Sequence, residues 1–166
     1  MVRGMTQAAF SARVRRHPVP IDLEAAADAA RAFADLPPEV RPLIGGTAGC
    51  SPYLNGLMTR EADWLRDALS RAPEDALDGV LGPLEDLPLD LLGDGLRLAK
   101  RRVALLTGLA DLGGVWPLEA VTGALTRLAD RAVDLSLRRL VADEMRRGKL
   151  PGQSPGDADT AGGMVA

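Results

Sequence analysis

The sequence is short of the residues that most often carry chemistry. It has one cysteine, one histidine and 3% aromatic residues. A lone Cys50 excludes an intrachain disulfide, and Cys50 with His17 cannot supply the four ligands of the zinc sites recognised by Cys/His spacing. Scarce aromatics leave the core to Leu, Ala and Val; Leu and Ala are strong helix formers, while strand-favouring residues are few. No apolar run approaches the roughly 20 residues that span a bilayer. The stretch from Met1 to Val19 contains Arg3, Arg13, Arg15 and Arg16 but no apolar stretch of signal-peptide length. The expected location is therefore cytoplasmic, with no membrane partner. Neither charge sign dominates: the net charge is −3. Nucleic-acid binding needs a concentrated basic face and is not expected.

What is present is a hydrophobic fraction of 46% in 166 residues, enough for one packed domain. The pattern predicts an all-α fold, an irregular helical bundle with a long C-terminal antiparallel helix hairpin and a flexible C-terminal tail. Residues 1–20 read as an N-terminal arm, a short helix or loose segment ending in His17-Pro18-Val19-Pro20. The helical domain then runs over 21–150. An Ala-rich helix is expected from Asp22 to Asp35, its opening acids complementing the positive end of the helix dipole. Gly45-Gly46-Thr47-Ala48-Gly49 reads as a connecting loop. Ser51-Pro52 is a helix start, with Ser as cap and Pro at the first turn. Helices follow at Pro52–Met58, Arg60–Ser70 and Pro73–Leu81.

The two strongest helices form the hairpin. From Leu89 to Leu112, Leu92, Leu96, Ala99, Val103, Leu106 and Ala110 make one stripe at spacings of four and three. Leu98, Leu105, Leu109 and Leu112 widen it, predicting burial on more than one side. Gly113-Gly114 ends that helix. From Pro117 to Arg147 the stripe is Leu118, Val121, Leu125, Leu128, Ala132 and Leu135, drifting through Val133, Leu137, Leu140, Val141 and Met145. Gly148 is the expected C-cap.

Four groups could carry function. The Gly-rich stretch lacks the Lys-Ser/Thr of a phosphate loop and reads as punctuation. Cys50 and His17 could pair as nucleophile and base, but nothing in the sequence places them together. Asp157-Ala158-Asp159 has the spacing of a metal-binding pair on a strand, yet lies in a Gly/Pro stretch and reads as a solvated turn. Arg97, Lys100, Arg101 and Arg102 form a dense basic patch. Either they are solvated and paired with acids such as Asp94, Asp111 or Glu119, or they bind a phosphate or an acidic surface. Tyr53 and Trp64 read as core aromatics, and Trp116-Pro117 as the hairpin corner.

Two segments carry a family resemblance. Ser51-Pro52-Tyr53-Leu54, with Leu57 and Trp64-Leu65, is similar to an early helical segment of the glutamine synthetase adenylyltransferases, bacterial enzymes that attach AMP to glutamine synthetase and also remove it. The run Leu96-Arg97-Leu98-Ala99-Lys100-Arg101-Arg102-Val103-Ala104-Leu105-Leu106 continues to Ala110-Asp111-Leu112-Gly113-Gly114-Val115-Trp116, Leu118-Glu119-Ala120-Val121-Thr122 and Leu125-Thr126-Arg127-Leu128-Ala129-Asp130. It resembles the helices just ahead of the family's first nucleotidyltransferase core. The likeness covers about Gly45 to Leu150.

The resemblance implies that 151–166 is a linker followed by the start of a missing nucleotidyltransferase core, with Gly162-Gly163-Met164-Val165-Ala166 as the first residues of its strand. No residue matches the family's Ser-Asp-x-Asp aspartates. The expected site is therefore empty of catalytic, cofactor-binding and metal-binding residues, leaving only the Arg97, Lys100, Arg101 and Arg102 interaction patch. The family's ATP and Mg2+ would be bound elsewhere in the enzyme. Position ahead of the first core implies the adenylyl-removing half. The implied partners are glutamine synthetase and the PII regulatory protein, with self-association through an apolar face built to meet the core. The alternative is a free-standing helical adaptor using Arg97 to Arg102.

Overall fold

The computed structural model describes residues 8–150 and 156–158, which contain helices and no strand. The α-helices are α1 (Phe10–Arg13), α2 (Leu23–Ala32), α3 (Arg41–Cys50), α4 (Pro52–Arg60), α5 (Ala62–Ser70), α6 (Pro73–Leu81), α7 (Leu89–Leu112) and α8 (Leu118–Arg146), with a 3-10 turn at Gly82–Asp86 between α6 and α7. None of them is long and apolar enough to cross a membrane.

Local chemistry sets the starts. The Asp22 side chain accepts from the Ala25 N–H at 2.9 Å, and the Ser51 hydroxyl accepts from the Leu54 N–H at 3.2 Å. Each satisfies an amide that the first helical turn leaves without a partner. α3, α4 and α6 carry proline in the first turn, where no hydrogen bond is lost. Gly114, at φ +62°, takes the left-handed conformation that closes α7.

α7 is the centre of the fold: α3, α4, α6 and α8 all pack on it. This is why Leu105 and Leu109 are buried beside the stripe of Leu92, Ala99, Val103, Leu106 and Ala110. α7 and α8 form the expected hairpin, and the expected α8 seam holds in part: Leu135, Val141 and Met145 are buried, and Val121 and Leu128 pack against the core. Leu118 and Leu125 are instead 67% and 44% exposed, and Ala124 is buried. α8 rests mainly on α7, with lesser contact to α6, so only a narrow strip of it is covered.

Three further expectations change. Gly45-Gly46-Thr47-Ala48-Gly49 is not a loop but the buried C-terminal half of α3. α2 and the preceding strand-like arm lie across it: a Cβ on Gly46 would sit 2.2 Å from the Pro18 carbonyl oxygen, and one on Gly49 would sit 2.5 Å from that of Asp22. Glycine is there for close approach, which overrides its poor helix propensity. Second, of the two readings of the arm the short helix holds, as α1, and the segment is not loose. Phe10 is fully buried, and the N–H groups of Ile21 and Asp22 both donate to the Gly49 carbonyl. Third, Tyr53 is 60% exposed on α4 and is no core residue, whereas Trp64 packs against the core.

Residues 1–7, 151–155 and 159–166 lie outside the described residues, and with them Asp159, most of the expected linker and the expected strand start. Gly156–Ala158 form a 3-10 turn, and Ala158 packs against Val141 and Met145 in a small cluster at the end of α8.

Candidate functional site

The basic patch on α7 is where the sequence pointed, and the fold divides it. Glu61, between α4 and α5, is buried at 7% exposure. Arg101 Nε donates to its Oε1 at 2.9 Å and Arg102 Nε to its Oε2 at 3.0 Å, so both carboxylate oxygens are gripped. The Arg102 guanidinium also lies over the Trp64 ring, 5.3 Å from its centroid, a favourable cation–π geometry. Burial pushes the Glu61 carboxyl pKa up, but the hydrogen bonds and charges of Arg101 and Arg102 outweigh it and hold the group below the ordinary glutamate value. Half of the patch is thus a clamp joining α7 to the α4–α5 junction.

The other half faces solvent. Arg97 pairs with Asp94 at 2.8 Å, both side chains largely exposed, and Lys100 is exposed. Of the three acids named as partners from sequence, Asp94 is used by Arg97, while Asp111 lies 3.8 Å from Arg16 on the arm. Glu61 is the acid that sequence reasoning missed. One signal was available: neither Arg101 nor Arg102 has an acid three or four residues away, so a helix-surface pair was excluded and any partner had to come from another element.

A second clamp fixes the hairpin corner. Glu74, in the first turn of α6, accepts from Arg13 Nη1 at 2.9 and 2.7 Å and from the Trp116 indole N–H at 2.6 Å. Burial raises its pKa, and Arg13 and Trp116 more than reverse that, leaving it lowered. Arg13 donates further to the Val115 carbonyl at 3.3 Å, and the Arg15 and Arg16 amides donate to that of Gly113. Trp116 is the buried corner residue expected, and the arm is bolted to it.

The remaining candidates do not converge. The Cys50 thiol donates to the Val19 carbonyl at 3.1 Å, and the His17 ring faces the Pro18 carbonyl at 3.4 Å. Each is engaged with arm backbone rather than with the other. Asp157 lies in the exposed 3-10 turn near the chain's end. Among the described residues, no three His, Cys, Asp or Glu side chains gather as a metal-binding group. The described geometry offers electrostatic clamps between helices and a solvent-facing cationic edge, with no nucleophile–base pair.

Comparison with known proteins shows what such a helical unit belongs to. The profile of the glutamate-ammonia ligase adenylyltransferase family matches residues 44–162. A bifunctional glutamine synthetase adenylyltransferase/adenylyl-removing enzyme of Rhodopseudomonas palustris is 34% identical over 144 residues, 84% of this chain and 14% of that protein. Proteins of the same name from Caulobacter vibrioides and a Bradyrhizobium species are each 38% identical, over 69% and 72% of this chain and 12% of their own length. No solved structure matches significantly. The chain therefore spans about 14% of the length of such relatives, and it belongs to the glutamate-ammonia ligase adenylyltransferase family.

Proposed function

We propose that this chain forms a helical segment that supports the nucleotidyltransferase core of a glutamine synthetase adenylyltransferase/adenylyl-removing enzyme, and that it transfers or removes no AMP by itself. The observation that carries this reading is the family match over residues 44–162 on a stretch folded around α7. In the whole enzyme, aspartates outside this stretch would hold the metal ions and align the phosphodiester of AMP for in-line attack; ATP and Mg2+ belong there. Glutamine synthetase is the substrate partner that the relatives' name implies. The PII protein is proposed as a regulator on the resemblance alone, and the adenylyl-removing half as the neighbouring core.

The test is an assay of the purified chain with glutamine synthetase, adenylylated and not, in the presence of ATP and Mg2+. No change in the AMP load of glutamine synthetase is expected. Robust transfer or removal would overturn the proposal. The adaptor alternative is weakened in one respect: Arg101 and Arg102 are committed to Glu61, which leaves only Arg97 and Lys100 to meet an acidic surface.

A further inference from the structure

The outer side of the α7–α8 hairpin holds a groove of about 350 Å3, lined by Leu96, Leu125, Leu128 and Ala129, with Arg97 and Lys100 on the α7 rim. The groove opens onto an apolar band along α8. At roughly 100° of rotation per residue, Leu118, Thr122, Leu125, Ala129, Val133 and Leu140 fall on one side of the helix. No charged residue interrupts them. The four large members are exposed, Leu118 at 67%, Leu125 at 44%, Val133 at 55% and Leu140 at 54%. A continuous exposed stripe of this length marks an association face.

The two edges of the band differ in sign. Lys100 borders it on the α7 side, next to Arg97, whose charge is already paired with Asp94. By the same rotation Glu119 and Asp130 border it on the far side. Lys100, Glu119 and Asp130 make no ion pair among the described residues. Lys100 lines the groove beside Leu125 to Ala132, so it stands at the level of Asp130 along α8.

We infer that this face binds a second copy of the chain, the two α8 helices running parallel about a twofold axis that lies along them. Such an axis keeps every residue at its own level while exchanging left for right. It therefore lays Lys100 of each copy over Asp130 of the other as the apolar bands meet. An axis across the helices would instead set the Lys100 edge of one copy against the Lys100 edge of the other, which charge complementarity disfavours.

Sedimentation equilibrium of the full chain over a wide concentration range tests this. A monomer–dimer equilibrium weakened by salt is expected. Leu125→Asp and Val133→Asp, at exposed positions, should raise the dissociation constant by about tenfold or more without changing the helical circular dichroism. Lys100→Glu should weaken the dimer, and adding Asp130→Lys should restore it. In a Cys50→Ser background, Leu118→Cys and Leu140→Cys should each crosslink to their own kind on mild oxidation. The two positions lie about 33 Å apart along the helix, so an antiparallel pair would join Leu118→Cys only to Leu140→Cys. A monomer throughout, a dimer indifferent to Leu125→Asp, or that antiparallel crosslink overturns the inference.

Discussion

At the scale of single residues, the molecule is held by a few acids that each satisfy more than one donor. Glu61 is the clearest case, buried and gripped by two arginines from α7. Glu61→Gln keeps the shape and removes the charge, leaving the guanidinium groups with one weaker acceptor. Hydrogen bonds to charged groups are worth about 1.5–3 kcal/mol, and Arg101 and Arg102 are partly exposed and can recover some hydration. A loss of about 1–2 kcal/mol in urea unfolding is therefore expected. The same site sets a pH dependence. Glu61 and Glu74 both have folded pKa values below the ordinary 4.5. A carboxylate depressed on folding contributes stability that is present above its unfolded pKa and lost as pH falls through the folded one. Stability should thus hold from neutrality to about pH 5 and decline below 4.5. In Glu61→Gln/Glu74→Gln that decline should be shallower, which urea titrations at stepped pH will read.

The elements show where a local rule yields to packing. α3 places glycines in a helix interior because the chain from Pro18 to Asp22 lies across them. Gly46→Ala improves helix propensity by about 1 kcal/mol yet drives a methyl group to 2.2 Å from a carbonyl oxygen. Overpacking of this kind costs typically 1–3 kcal/mol or more, so a net fall in melting temperature is expected. The exposed Gly123, with nothing near its virtual Cβ, is the control: Gly123→Ala should stabilise. The arm offers a second test at this scale. Arg13→Ala removes the Nη1 group that donates to both Glu74 carboxylate oxygens. The amides of Arg15 and Arg16, which donate to Gly113, should then exchange with solvent faster, and trypsin should cut at these arginines sooner. Unchanged exchange would show that Phe10 and the backbone bonds to Gly113 and Gly49 hold the arm without Arg13.

Taken as a whole, the described residues share one principal core, running from Phe10 on the arm to Leu135 on α8. Trp64 and Trp116 both pack in it. Their fluorescence and the far-ultraviolet circular dichroism should follow the same urea transition, the mark of all-or-none unfolding. Separate transitions would mean that the hairpin and the α2–α6 layer are distinct cooperative units. The end of α8 is the exception: Val141, Met145 and Ala158 form their own small cluster and are expected to open first in hydrogen exchange.

The sequence by itself determined the helical class, the positions of α4 to α8 and the turn at Gly113-Gly114, because these rest on local signals: period, caps and prolines acting within a few residues. It also carried the family, in the ordered run from Ser51 to Asp130. Only the tertiary structure decided the rest. Whether Gly45 to Gly49 was loop or helix depended on a segment almost thirty residues earlier crossing it. Which face of α8 was covered depended on how little besides α7 reaches it, and so Leu118 and Leu125 lie outside. The basic patch read as one surface because spacing along α7 is local, but Glu61 joins it from 40 residues away. A buried carboxylate takes the donors that the fold brings to it, and no periodicity records that pairing in advance.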